Sequence, residues 1–212
     1  ILNAAAVIGT GFDLEALSTL LPDTQPSRLA DLVSAELIDQ TEFVPSQRYC
    51  FRHPLVRTVA YESQLAATRA QAHRRLAAAA RGHDPATADE NAELIATHYE
   101  AAGDLVDAYH WHMRAAEWLA LRDLQAARTR WESARRIADQ LPDDHDDIAA
   151  MRIAPRTMLI SKAVFVGHDA DADEQFQEFR AMASQAGDMT SLAVAIAGRV
   201  ISLTNNDIRV PE

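Results

Sequence analysis

Apolar residues recur along this chain at more than one spacing, and the changes of spacing divide it. From 124 to 141 the positions Leu124, Ala127, Trp131, Ala134, Ala138 and Leu141 step by 3, 4, 3, 4 and 3, the period of one face of an α-helix. The spacing predicts a helix there. At the other end, a short apolar segment over 2–8 is closed by Gly9-Thr10-Gly11 and counts as the first of three helices. The second runs over 14–21, with Asp13 placed to cap it and Pro22 to end it, and the third over 27–36 with Leu29, Leu32, Val33 and Leu37 on one face. The period then shortens. Leu37-Ile38, Phe43-Val44 and Tyr49-Cys50-Phe51 are brief β-prone runs separated by polar residues and Pro45, which predicts a small hairpin.

After the hairpin the helical period returns. Pro54 suits the first turn of a helix continuing to about 65. The next, over about 68–81, places Ala72, Leu76, Ala79 and Ala80 on one stripe and leaves Arg69, Arg74, Arg75 and Arg81 mostly solvated. The stretch 82–88, containing Pro85, reads as a boundary between a first part, 1–82, and a second, 83–212. In the second part an internal repeat appears. Asp104-Leu105 is followed by Ala108, His112 and Ala115, and Asp123-Leu124 by Ala127, Trp131 and Ala134, at a constant offset of 19 residues. Small residues around one larger side chain let neighbouring helices approach, as in stacked helical hairpins. Further helices are expected over about 148–166, kinked by Pro155, over 172–186 with Phe176, Phe179 and Ala183 on one stripe, and finally through Leu192, Ile196, Val200 and Leu203 to Asn205-Asn206. Gly187-Asp188 repeats the turn chemistry of Gly103-Asp104.

Composition narrows the function classes. Residues 1–82 carry 8 basic and 8 acidic side chains, residues 83–141 carry 6 and 11, and residues 142–212 carry 6 and 12, which gives the net charge of −11. The acidic helical part repels phosphate backbones, so direct nucleic-acid binding is not expected. The third helix offers only Arg28 against Asp31 and Glu36 as a recognition surface. No apolar run approaches the roughly 20 residues of a membrane span. The lone Cys50 excludes an internal disulfide, and without a signal-peptide pattern the expected compartment is the cytoplasm. An opening on Ile1 and a stop after an apolar helical pattern read as a fragment of a longer polypeptide cut at both ends, with the helical repeats truncated at the C-terminal end.

No catalytic signature emerges. Gly9 and Gly11 lack the third glycine or the Gly-Lys-Ser/Thr of a phosphate loop. His110 and His112 point about 200° apart on a helix and cannot share a metal ion with each other, and His98 brings no thiolate partner. Asp169, Asp171 and Asp173 imitate the start of a calcium loop, but Glu174 stands where the glycine belongs and Arg180 where the bidentate glutamate belongs. Trp111, Trp118 and Trp131 fall at repeat spacings that favour packing over a ligand cage.

Two resemblances sharpen this reading. Ala96, Tyr99, Gly103, Asp104, Ala108 and Ala115, then Trp118, Ala127, Trp131 and Ala134, resemble tetratricopeptide repeats in a shortened register without the usual proline, which implies a surface for protein contacts. Ala4 to Gly9 with Phe12, the Leu37-Ile38 pair, Phe51-Arg52-His53-Pro54-Leu55, Ala60-Tyr61-Glu62, and Arg69 with His73 resemble the winged-helix segment of STAND-type signalling ATPases. Within that group the likeness is to the large ATP-binding LuxR-type transcription regulators, some of which carry a nucleotide cyclase domain. It covers about residues 1–140. Glu36 stands where the family favours Gly and Ala72 where it favours Leu.

The expected architecture is therefore mainly α: a winged-helix module with a small β-hairpin, then a degenerate tetratricopeptide-like solenoid. The resemblance implies a non-catalytic regulatory segment that couples a nucleotide switch to partner binding. ATP or ADP would be bound by a preceding domain of the parent chain, with no cofactor in this segment. It also makes His53, with Arg52 beside it, the nucleotide-sensing candidate, since an imidazole donates well to a phosphate oxygen. The plainer reading of His53 is a packing or capping role at the junction. The alternative function is a free-standing helical-repeat adaptor whose winged helix is structural.

Overall fold

The computed structural model describes residues 1–42, 47–82, 85–166 and 171–207. Among these the chain is mainly helical and carries one small antiparallel sheet. It divides into two compact units, Ile1–Asp104 and Leu105–Glu212.

In the first unit α1 (Leu2–Ile8), α2 (Leu14–Leu20) and α3 (Pro26–Ser34) precede the hairpin of β2 (Ile38–Glu42) and β3 (Arg48–Phe51). Phe43, Val44 and Pro45, expected within that hairpin, lie outside the described residues. A further strand, β1 (Gly11–Asp13), had not been anticipated. It pairs antiparallel with β3 in the register Gly11 to Cys50, Phe12 to Tyr49 and Asp13 to Arg48, so that β3 lies between β1 and β2. The cause is Phe12. Its ring is 3% exposed, stacks on Tyr49 at 5.7 Å between centroids and meets Phe51 at 5.9 Å, in a core with Ala5, Ala6, Leu17, Leu29 and Ile38.

The caps follow the sequence closely. Asp13 accepts a hydrogen bond from the Ala16 N–H at 2.7 Å and starts α2. At the end of α3, Glu36 adopts φ 58, the left-handed region. There the Glu36 N–H reaches the Val33 carbonyl at 3.0 Å and the Leu37 N–H reaches that of Leu32 at 3.1 Å, a Schellman closure. That geometry explains why α3 stops before Glu36.

Beyond the sheet come α4 (Pro54–Glu62), α5 (Ala66–Arg81), α6 (Pro85–Glu90) and α7 (Ala92–Ala102). Helix α6 occupies part of the stretch read as a boundary. Helix α5 packs against α7, which carries the first unit through to Asp104. Arg74 on α5 donates from Nε and Nη2 to the two carboxylate oxygens of Asp104, each at 2.6 Å, and this pairing holds the Asp104 carboxyl below its usual range.

The second unit contains α8 (Leu105–Leu119), α9 (Leu124–Gln140), α10 (Ile148–Val166), α11 (Ala172–Ala186) and α12 (Met189–Asp207). The small-large-small positions of the 19-residue repeat are buried: Ala108, His112 and Ala115 on α8, and Ala127, Trp131 and Ala134 on α9. Asp123 caps α9 through the Ala126 N–H at 2.9 Å. Helix α10 runs helical through buried Pro155 and packs on α9 and α12. At its contact with α12 the backbones nearly touch, for a Cβ placed on Gly198 would lie 2.4 Å from Ser161 Cα and 2.8 Å from Ser161 O. Phe176, Phe179 and Ala183 of α11 are buried with Ile153 and Ala195. Gly187 ends α11 at φ 71 with the closure seen at Glu36. The expected turn residue Gly167 lies outside the described residues. No helix among those described is long and apolar enough to cross a membrane.

Candidate functional site

The two nucleotide-sensing candidates stand where β3 passes into α4, and the structure separates their roles. Arg52 is engaged within its own unit. Its Nε and Nη2 donate to Asp39 Oδ1 at 3.0 and 2.7 Å, and its Nη1 lies 3.0 Å from Glu36 Oε2. The paired guanidinium holds the Asp39 carboxyl below the usual carboxylate range, with a smaller contribution from His53. Arg52 thereby ties the end of β3 to β2 and to the turn after α3.

His53 has the other character. It occupies the N-cap position of α4, where its carbonyl accepts from the Val56 N–H at 3.0 Å, but its side chain makes no cap hydrogen bond. The imidazole is exposed. Pro54 fixes the first turn of α4 without needing an acceptor, and the first-turn N–H groups beside His53 form a positive helix end. On the same helix Leu55 is 70% exposed and Val59 60% exposed. They are one turn apart, so the helix that begins at His53 shows an apolar stripe to solvent.

From the end of α4 a polar chain that the sequence pattern does not assemble runs inward to two buried histidines. The Tyr61 hydroxyl is 3.0 Å from His73 Nε2, and His73 Nδ1 is 3.0 Å from His98 Nδ1. His73 and His98 are each 5% exposed. Burial pushes the His73 imidazole down to about 4, helped by His98 and by the charges of Arg57 and Arg69, and burial also lowers His98. Both rings are therefore neutral at physiological pH, and each contact needs one N–H or O–H and one bare acceptor. The guanidinium of Arg69 sits 4.8 Å above the Tyr61 ring. The 25-residue separation of the two histidines carries no periodic signal; only the pairing of α5 with α7 brings them together.

The remaining candidates fall into packing roles. Trp131 is fully buried, Trp111 is buried and meets Arg114 at 4.9 Å, and half-buried Trp118 lies under Arg122 at 4.2 Å. Asp169 lies outside the described residues; Asp171 stands at the N-cap of α11, and Asp173 pairs with Arg199. No group of three or more His, Cys, Asp or Glu able to hold a metal ion occurs among the described residues.

No family model matches the chain. No solved structure matches it either. Among curated proteins it is similar to an uncharacterized protein of Rhizobium meliloti (strain 1021), 30% identical over 164 residues, which is 74% of this chain. The chain spans 16% of the length of that relative.

Proposed function

We propose that this chain is a non-catalytic regulatory and protein-interaction segment of a multidomain ATP-dependent signalling regulator, coupling a nucleotide switch to partner binding. The observation that carries the reading is the exposed start of α4. His53 is free of any side-chain cap bond at a helix N-terminus, next to the exposed Leu55 and Val59. An imidazole and a positive helix end facing outward suit a phosphate held by another domain, and the apolar stripe suits the protein wall around it.

Three further features support the same reading. The order of three helices followed by a hairpin, with β1 completing the sheet, supports a winged-helix module. The buried small-large-small positions of α8 and α9 support tetratricopeptide-like repeats that present surfaces to protein partners. The similarity to a stretch of a much longer protein supports a segment working among other domains. Nucleic acid remains a poor partner for a chain of net charge −11.

The test is His53→Ala in the full polypeptide that carries this segment. Nucleotide affinity or the downstream response is expected to change while the fold is retained; unchanged values for both would sink the reading.

A further inference from the structure

The second unit holds a pocket of about 60 Å³ between α9, α10, α11 and α12. Its polar lining is Arg128, Glu132, Arg135, Gln175, Arg199 and Ser202. Three arginines against one glutamate leave the lining net positive within a strongly acidic chain. On α9 the residues 128, 132 and 135 follow one another at steps of four and three, so they share a helix face.

Two of the arginines are matched. Arg128 Nε donates to Glu132 Oε1 at 2.9 Å, and Arg199 pairs with Asp173 while its guanidinium lies 4.7 Å from the Phe176 ring centroid. Their side chains are 15% and 20% exposed. Arg135 is different. Its Nε is buried and has no hydrogen-bond partner among the described residues. A buried N–H without an acceptor is costly, and more so when it carries charge. Leu159 and Ile160 of α10 supply an apolar wall opposite these donors, so the site combines orienting charges with a dry surface, the usual make-up of a small-molecule pocket.

The geometry points to this pocket as a binding site for a small oxyanion, a carboxylate or phosphate group on a short apolar body, with Arg135 as its principal donor. The planar guanidinium fork matches either group bidentately. The volume suits enclosure of a few heavy atoms around the anionic group. The pocket lies within the second unit, whereas His53 belongs to the first.

Isothermal calorimetry on the 212-residue chain, with inorganic phosphate and malonate as separate probes, tests the assignment. Single-site binding of at least one probe is expected, and which probe binds more tightly identifies the anionic group. Arg135→Met is expected to weaken binding at least about tenfold, the loss of one charge-assisted hydrogen bond. Arg135→Lys, which keeps the charge but loses the fork, should fall between the two. Arg48→Gln, in the first unit, should leave binding unchanged. Ala163→Phe fills the pocket with every arginine in place, and decides the matter by the same loss of binding if Arg135→Met does not fold. The proposal is overturned if neither probe binds at about 10 mM, a concentration sufficient for even millimolar affinity. It is equally overturned if a folded Arg135 or Ala163 variant binds as the parent does.

Discussion

His73 and His98 meet Nδ1 to Nδ1 at 3.0 Å across α5 and α7, a contact that needs an N–H on one ring and a bare lone pair on the other. A proton on both would set two N–H groups against each other with Arg57 and Arg69 close by. The sign of the pH dependence follows. The folded pKa of His73, about 4, lies below its ordinary value of 6.5, so above 6.5 neither state is charged and the stability is fully present. As pH falls from 6.5 toward 4 the unfolded chain takes up protons that the folded chain refuses, and stability declines. A loss of about 2 kcal/mol is expected, less than the full shift because the pair is coupled. Urea titrations at pH 7, 6 and 5 should show a falling midpoint, with a flatter profile in His73→Phe; parallel profiles would exclude the pair as the cause.

Glu36 holds a left-handed conformation that a side chain disfavours. Glu36→Gly is expected to stabilise the chain by about 0.5 kcal/mol, relief of strain outweighing an exposed ion pair to Arg52 and the added freedom of the unfolded state. Glu36→Ala keeps the strain and loses the pair, so its denaturation midpoint should lie at or below that of the parent.

Gly198→Ala should be destabilising by about 1–3 kcal/mol, because the new methyl would collide with Ser161 backbone and force α10 from α12. In an uncrowded helix the same change would add stability. A melting temperature equal to or above the parent's would refute the close approach.

Trp131 is fully buried, and its indole N–H finds no acceptor among the described residues. Trp131→Phe removes that orphan donor with part of the volume, so it should cost well under the about 3–5 kcal/mol of Trp131→Ala. Equal losses on chemical denaturation would show that the N–H is satisfied in solution.

Legibility in the sequence followed the range of the forces. Helix α9 was readable because its stripe is local, and so was the capping aspartate of α2, which needs only the three residues after it. Strand β1 was not, since Gly11-Phe12-Asp13 offers one apolar residue and its partner lies beyond residue 47. The polar look of 85–90 concealed α6. His53 and Arg52 could be chosen from the sequence, but that one is free at a helix start and the other clamped by Asp39 and Glu36 depended on the folded turn. The arginines of α9 form a visible stripe, yet the walls that make it a pocket come from α10, α11 and α12.

The central place of β3 sets an order of events during synthesis. Strands β1 and β2 each pair with β3 and not with each other, so until residues 48–51 have emerged neither has an edge to join. A nascent chain ending before Arg48 would show two unpaired strands and an unburied Phe12, a combination prone to pairing with other chains. Sheet closure then links segments almost forty residues apart in one step, and the slow step of folding in this unit is expected to be that closure rather than the formation of any helix.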